Sequence, residues 1–297
     1  MATIARIIVN EPGLPNHRLL FQDFIAASKT LLPKGAKHQF VLLPGGCLTF
    51  PVKNDLTNTP LSEPTDKTAR QKWNADIEAL KAQALAEFHQ SFDSKMLQEL
   101  QSVAHHLVIG INSEVVNKED IRIQLVLVYD LQSGKPLHWT GKTFPNANTE
   151  QKYLIKMPIE THFMKEKIGG KKIAVFGCHD LSIFNPRHQW RFSPFDDERK
   201  GEKRKENTPT GKIKCPFIDA TLDFCPEIML QLPHDESTWA AKWTKLNKWL
   251  QRKNGKELQL FASGLRRSKK RQYPLSGTQR GDVINFVNGK WVDGKQK

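Results

Sequence analysis

The sequence predicts an α/β fold, and three observations lead to that prediction. Short apolar runs of the kind that forms buried strands recur along the whole chain. The segments between them carry apolar residues at helical spacing, and glycine or proline stands where many of the runs end. Alternating strands and helices are typical of layered α/β domains. The chain has 297 residues, which is enough to bury a large core.

The first part of the chain reads as strand, helix and strand. Residues 4–9 form the first apolar run. Asn16 can cap a helix that Pro33 and Gly35 end. The predicted apolar face of this helix consists of Leu20, Phe24, Ala27 and Leu31. Residues 40–43 form a second short strand, which is expected to be buried.

Two helices and a strand follow a predicted loop at residues 51–67, which is rich in Pro, Asn, Thr and Asp. The first helix is long and amphipathic and runs from about residue 68 to residue 90. Its apolar positions are Trp73, Ile77, Leu80, Ala84 and Phe88. A shorter helix carries Met96, Leu97 and Leu100, and residues 107–111 form the strand after it.

The middle of the chain contains a hairpin, a buried strand and an irregular segment. Residues 121–131 and 135–143 are two extended runs joined by a Ser-Gly turn. Residues 173–176 are continuously apolar, which suits a strand buried on both faces. Residues 186–214 show no apolar periodicity and many charges, so we predict an exposed and irregular insertion there.

Regular structure is predicted to resume at residue 228. Strands at 228–232 and 258–262 flank a helix with Trp239, Trp243, Leu246 and Leu250 on one face. A final hairpin over residues 282–292 turns at Asn288-Gly289. We place one α/β domain at residues 1–265 and a basic C-terminal extension at 266–297.

The net charge of +14 is unevenly distributed. Residues 186–214 hold 9 Lys and Arg against 5 Asp and Glu, and residues 251–297 hold 12 against 3. These two segments therefore supply +4 and +9, and the rest of the chain is almost neutral. Such segments favour a polyanionic partner, nucleic acid included, although many basic runs are only solvated surface.

Several classes of protein are disfavoured. The four cysteines are irregularly spaced and form neither a disulfide framework nor a zinc motif, so we expect no metal, no cofactor and a cytoplasmic protein. The apolar N-terminal run is interrupted by Glu11-Pro12 and is too short for a signal peptide. No run approaches the roughly 20 apolar residues that cross a bilayer, so no membrane partner is expected.

Cys178 is the best candidate for chemistry in this sequence. It follows a buried strand and Gly177, at the kind of strand end where α/β proteins hold reactive groups. The alternative is a small buried hydrophobe, which is how most free cysteines behave.

Four stretches give the chain a resemblance to the nitrilase, or carbon–nitrogen hydrolase, superfamily. They are the opening strand and helix, the apolar strand that ends at Pro44, residues 141–145 followed by Glu150, and the sequence IAVFGCHD around Cys178. The third stretch resembles the family's lysine motif, and the fourth resembles its nucleophile strand. The order and the intervals agree over most of residues 4–265 outside the insertion.

The resemblance implies a single domain with a nitrilase-like four-layer α-β-β-α sandwich. It implies that Cys178 is the nucleophile, that Lys142 stabilises the thiolate and the oxyanion, and that Glu150 holds Lys142 or transfers protons. His179 and Asp180 are supporting candidates, and Asp180 is as suited to anchoring its own loop. The resemblance also implies a small amide-type substrate and a homodimer.

Position 45 departs from the family pattern. Where the family has Pro-Glu and uses the glutamate as the general base, this chain has Pro44-Gly45. No glutamate lies between Glu11 and Glu63, so a shift of one residue does not restore the base. Losing a general base typically lowers a rate by about 10²- to 10⁴-fold.

Two functions of different classes follow. The first, which we predict, is Cys178-dependent hydrolysis of an amide- or nitrile-type C–N bond through a thioester. The alternative is a catalytically degraded scaffold that binds nucleic acid or another polyanion. In that case the basic run would contact phosphates without reading sequence, and its members are Arg266, Arg267, Lys269, Lys270 and Arg271.

Overall fold

The chain has a mixed α/β fold, as predicted, and the strands of its described residues form two sheets. The computed structural model describes residues 3–10, 17–117, 119–145, 152–178, 180–185, 189–199, 201–233, 240–264, 266–267, 279–280, 282–287 and 290–292. Within these ranges, no helix combines the length and the apolar character that crossing a bilayer requires.

The strands are short and are numbered here in chain order. They are β1 (Ile4–Asn10), β2 (His38–Leu42), β3 (Leu48–Phe50), β4 (Ala104–Ser113), β5 (Gln124–Asp130), β6 (Lys135–Gly141), β7 (Ile173–Phe176), β8 (Ile228–Gln231), β9 (Leu260–Ser263), β10 (Arg266–Arg267), β11 (Gln279–Arg280), β12 (Val283–Val287) and β13 (Lys290–Val292). The larger sheet has the order β13-β12-β1-β2-β4-β5-β6, with β10 beside β1 and β3 beside β4. The smaller sheet has the order β11-β9-β8-β7.

Most central strand pairs are parallel, so their carboxyl ends meet at common edges. β1 pairs in parallel with β2 and β12, and β2 with β4, while β4, β5 and β6 form an antiparallel meander. In the smaller sheet, β7, β8 and β9 are parallel and β11 is antiparallel to β9. The edges at which parallel strands end are where open α/β sheets commonly bind ligands.

The helices are α1 (His17–Leu31), α2 (Lys67–Ser91), α3 (Ser94–Gln101), α4 (Gln189–Phe192), α5 (Gly211–Phe224) and α6 (Ala240–Asn254). Asp66 and Asp93 cap α2 and α3, each accepting a 2.8 Å hydrogen bond from the backbone N–H three residues on. The long predicted helix is confirmed to within a residue at each end, and its five predicted apolar residues are all buried. In α1, by contrast, Leu31 is 46% exposed because the buried face follows Phe21, Phe24, Ile25 and Ser28.

Alternate residues of the central strands pack in different cores. In β7, Ala174 and Phe176 pack with residues of α5 and α6, whereas Ile173 and Val175 pack with residues of both sheets. A further cluster joins the larger sheet to α1, α2 and α3. Because every residue of β7 is buried, its apolar run is continuous rather than alternating, as predicted.

The segment 186–214, predicted to be an exposed and irregular insertion, is packed at residues 191–199 and from residue 211, whereas residues 201–210 are mostly exposed and irregular, as predicted. It contains α4 and the start of α5, and Phe192 is buried. Glu198 accepts hydrogen bonds from Lys245 Nζ (2.9 Å) and Trp249 Nε1 (2.8 Å) of α6. The prediction is wrong for residues 191–199, because Asp197 and Glu198 pair with basic residues of α6, an arrangement that no local periodicity reveals.

The predicted C-terminal extension, residues 266–297, also enters the fold. β10 and β12 both pair in parallel with β1, and β12 lies inside the larger sheet with Phe286 fully buried. The hairpin of β12 and β13 is confirmed, and its predicted turn at Asn288-Gly289 lies outside the described residues. The described part of this segment is therefore not an appendage. Its pairing with β1 spans almost the whole sequence, which a local pattern cannot show.

Candidate active site

Lys142 and Cys178 both follow a strand directly. Lys142 comes after β6 and extends it, because its N–H donates to Gln124 O (2.9 Å) and its carbonyl accepts from Met157 N–H (3.1 Å). Cys178 follows β7 after Gly177. The Lys142 side chain is 1% exposed and Cys178 is 3% exposed. A buried lysine is uncommon unless its ammonium has a polar or charged partner.

Gly177 brings these two strand ends into backbone contact. A methyl group on Gly177 would lie 2.9 Å from Lys142 N and 3.0 Å from Asp180 Oδ2, so only glycine fits there. The loop that carries Lys142 and the loop that carries Cys178 are therefore immediate neighbours. This juxtaposition is the part of the predicted site that the described residues support.

Asp180 fastens these two loops together. Its carboxylate accepts hydrogen bonds from the N–H groups of Phe144 (2.8 Å) and Thr143 (3.1 Å). Asp180 thus anchors the loop after Lys142, rather than only its own loop. Complete burial raises the pKa of Asp180 to about 7, against the opposing effects of the backbone N–H groups and the charge of Lys142.

His162 lies behind Asp180, and sequence reasoning did not single it out. It belongs to a short 3₁₀ helix, Ile159–His162, and its Nε2 is 3.8 Å from Asp180 Oδ2, with both side chains fully buried. Its ring also contacts Phe176 and Phe217, with centroid distances of 5.5 and 4.8 Å. No motif or periodicity surrounds this histidine, so its location is visible only in three dimensions.

Gly45 follows β2 of the larger sheet and packs against the residues that follow β8 of the smaller sheet. Its N–H donates to Pro233 O (2.9 Å), and a methyl group on it would lie 2.4 Å from Leu232 O. From the other side, a methyl group on Gly110 would lie 2.5 Å from the Gly45 Cα. Backbone therefore occupies the space that any side chain at position 45 would need.

The other predicted site residues either lie outside the described residues or have only their backbone described. Glu150, His179, Lys269, Lys270 and Arg271 lie outside the described residues. The backbone of Arg266 and Arg267 forms β10 beside β1. Among the residues that are described, no three His, Cys, Asp or Glu side chains come close enough together to hold a metal ion.

No protein-family model matches the sequence, and no curated protein sequence matches it either. Similar solved structures include the NitN amidase from Nesterenkonia sp. AN1, with 12% identity and a TM-score of 0.47, covering 91% of this chain and 80% of that one. A cysteine-to-serine mutant of this nitrilase-superfamily amidase has 11% identity and a TM-score of 0.45, covering 90% and 77%. Another mutant, with acrylamide added at its active-site cysteine, has 11% identity and a TM-score of 0.46, covering 90% and 79%. At these identities and TM-scores, the similarity does not assign a family.

Proposed function

We propose that this chain is a catalytically degraded carbon–nitrogen hydrolase-like protein that works by binding rather than by turnover. Its scaffold would be the four-layer α-β-β-α sandwich of the nitrilase type, with Cys178 and Lys142 kept as a thiol–ammonium pair. The three largest buried clusters of the described residues support this layering. One lies between helices and the larger sheet, one contains residues of both sheets, and one lies between the smaller sheet and α5 and α6.

The observation that carries the proposal is the packing at Gly45. In the resemblance, position 45 is the place of the general base, and here the Leu232 carbonyl oxygen occupies the space of its Cβ. The base is therefore not merely absent, because the backbone of the smaller sheet has closed over its position. We expect amide turnover to fall by about 10²- to 10⁴-fold relative to a site with that base.

A turnover assay separates this proposal from hydrolysis. The purified protein is incubated with small aliphatic amides, and released ammonia is compared with that from Cys178→Ala. Equal release by the two proteins supports the proposal. Release that disappears in both Cys178→Ala and Glu150→Gln would contradict it and would support hydrolysis with a base other than position 45.

Cys178 is expected to react with iodoacetamide about tenfold faster than Cys215, because an adjacent ammonium favours the reactive thiolate. Burial raises the pKa of Cys215, so that thiol is a built-in internal control. Peptide mass spectrometry after timed quenching measures each rate in one sample. The advantage of Cys178 should shrink in Lys142→Gln, and equal rates for Cys178, Cys215 and Cys225 would contradict the thiol–ammonium pair.

The partner we propose is a polyanion bound through residues 266–271, because the C-terminal segment 251–297 carries +9 of the net charge of +14. The described charges of segment 186–214 are partly compensated inside the fold, as in Arg204 with Asp219 at 2.9 Å. The C-terminal basic run is thus the better candidate for contacting phosphates.

Binding to duplex DNA is expected to weaken steeply with salt and to depend on the basic run. Neutralising Arg266, Arg267, Lys269, Lys270 and Arg271 to glutamine should lower the slope of log affinity against log salt by about one for each phosphate that the variant no longer neutralises. The control neutralises five exposed lysines elsewhere, namely Lys29, Lys34, Lys53, Lys67 and Lys95. An equal loss of affinity in both variants, or binding indifferent to salt, would contradict this interface.

A further inference from the structure

The ring of His162 has hydrogen-bond partners on both nitrogens. Nδ1 lies 2.9 Å from Val175 O, and Nε2 lies 2.7 Å from Thr143 Oγ1. Thr143 Oγ1 in turn lies 2.5 Å from Met157 O. All of these groups are buried, so water cannot replace a missing hydrogen.

The hydrogens available to these contacts determine how many the His162 ring must supply. A threonine hydroxyl has one hydrogen, and because Met157 O can only accept, the hydrogen of Thr143 is directed at Met157. Thr143 Oγ1 must then accept from His162, which requires a hydrogen on Nε2. Val175 O also can only accept, so Nδ1 requires a hydrogen as well. A neutral imidazole carries only one of these two hydrogens.

Thr140 does not change this count. Its Oγ1 is 3.2 Å from His162 Nδ1 and 3.1 Å from Thr161 Oγ1. The hydroxyl of Thr161 donates to Pro158 O (2.6 Å), so the hydroxyl of Thr140 has Thr161 Oγ1 as its acceptor. Because the hydrogen of Thr140 is directed at Thr161, Thr140 Oγ1 can only accept from His162 Nδ1.

Asp180 supplies the matching negative charge. Its oxygens accept from the backbone N–H groups of Thr143 and Phe144, and the N–H of Gly177 adds a third such interaction. An ionised carboxylate only accepts hydrogen bonds, so the N–H donors around Asp180 favour its ionised form. Its Oδ2 is 3.8 Å from His162 Nε2, which is within ion-pair distance.

We infer that His162 is protonated in the fold and forms a buried ion pair with Asp180, as a positioning residue for the loops of Lys142 and Cys178. Burial is the largest influence on both groups: it lowers the pKa of His162 to about 4 and raises that of Asp180 to about 7, against the opposing hydrogen bonds of each group. The pair nevertheless keeps one proton up to about neutral pH, and the hydrogen bonds place that proton on the imidazole.

This ion pair has a consequence for the thiol centre, which rests on the proposed pairing of Cys178 with Lys142. Two cations, His162 and Lys142, then accompany the single carboxylate of Asp180. The excess positive charge would favour the thiolate form of Cys178. Of the other groups around His162, His138 lowers the pKa of His162 and so opposes its protonation, and Phe176 and Phe217 are uncharged.

The test is nitrogen NMR of the ¹⁵N-labelled full chain at pH 6, with the His162 ring signals assigned by their disappearance in His162→Gln. We expect both ring nitrogens of His162 to resonate as protonated nitrogens. One nitrogen in the unprotonated range would overturn the inference. This readout does not depend on whether amides are hydrolysed or Cys178 is reactive, so the inference and the proposed function fail separately.

Two variants show whether Asp180 is the counter-charge. In Asp180→Asn, one ring nitrogen of His162 should become unprotonated at the same pH, whereas a doubly protonated ring would overturn the pairing. His138→Gln is the matched control, because His138 is also partly buried and contacts a backbone carbonyl, Thr161 O, at 2.7 Å. His162 should remain doubly protonated in that variant. If Asp180→Asn does not fold, the wild-type spectrum alone decides the protonation state.

Discussion

Replacing Gly45 with alanine is expected to lower the free energy of unfolding by about 3 kcal/mol, at the upper end of what overpacking usually costs. The added methyl group would lie 2.4 Å from Leu232 O and 3.1 Å from the carbonyl carbon of Pro233. Neither obstacle is a flexible side chain, so the two sheets must separate locally to admit it. Urea denaturation, followed by fluorescence, measures the difference.

Gly201→Ala is the control for this experiment. Gly201 has a φ of +81°, but no atom lies within 4 Å of the added methyl group. Its substitution should therefore cost only the strain of a left-handed alanine, about 1 to 2 kcal/mol. A destabilisation at Gly45 no larger than that at Gly201 would contradict the closed packing around position 45.

Gly45→Glu extends the same argument to function. In an open pocket, the new carboxylate would stand where the nitrilase-like pattern has its base, and hydrolysis could be recovered. Here we expect a protein destabilised at least as much as Gly45→Ala, with no gain in Cys178-dependent release of ammonia. A stable Gly45→Glu variant that hydrolyses amides would show that the site is intact apart from one residue.

The sequence predicts the fold best where burial leaves a periodic trace. Helix α2 repeats its apolar residues at helical spacing over 25 residues, so its ends are predicted almost correctly. β7 is buried on both faces, and its apolar run is correspondingly uninterrupted. In such elements, each residue's environment depends mainly on its position in the repeat.

The parts that could not be predicted depend on contacts between distant segments. Helix α5 is not predicted from the sequence, because it begins in a charged segment and contains Pro216, a residue that is unusual inside a helix. His162 is 18 residues from Asp180 and carries no motif, and the closed space at Gly45 comes from backbone almost 190 residues away. The motifs around Lys142 and Cys178 indicate where to look, but not which groups surround them.

Asp180→Asn is expected to be among the most damaging single substitutions, lowering the free energy of unfolding at pH 7 by about 3 to 5 kcal/mol. The asparagine amide cannot neutralise the charge of His162. Its NH₂ group would also face the backbone N–H donors of Thr143 and Phe144. Asp120→Asn is the matched control, because Asp120 also accepts two backbone N–H groups, from Val116 (2.8 Å) and Asn117 (2.6 Å), but is only partly buried. The destabilisation there should be much smaller than at Asp180, because water can replace the lost hydrogen bonds.

The pH dependence of Asp180→Asn gives the more specific result. Without the carboxylate, burial keeps the pKa of His162 below its unfolded value of about 6.5. Below pH 6.5 the unfolded chain then binds more protons than the folded one, so stability falls as the pH is lowered toward 4, by up to about 1.4 kcal/mol per pH unit. The wild-type pair keeps one proton over this range, as does the unfolded chain, so this slope should be missing from wild type and from the double variant His162→Gln, Asp180→Asn. A wild-type slope as steep as that of Asp180→Asn would mean that His162 is buried uncharged and that Asp180 stabilises the loops without it.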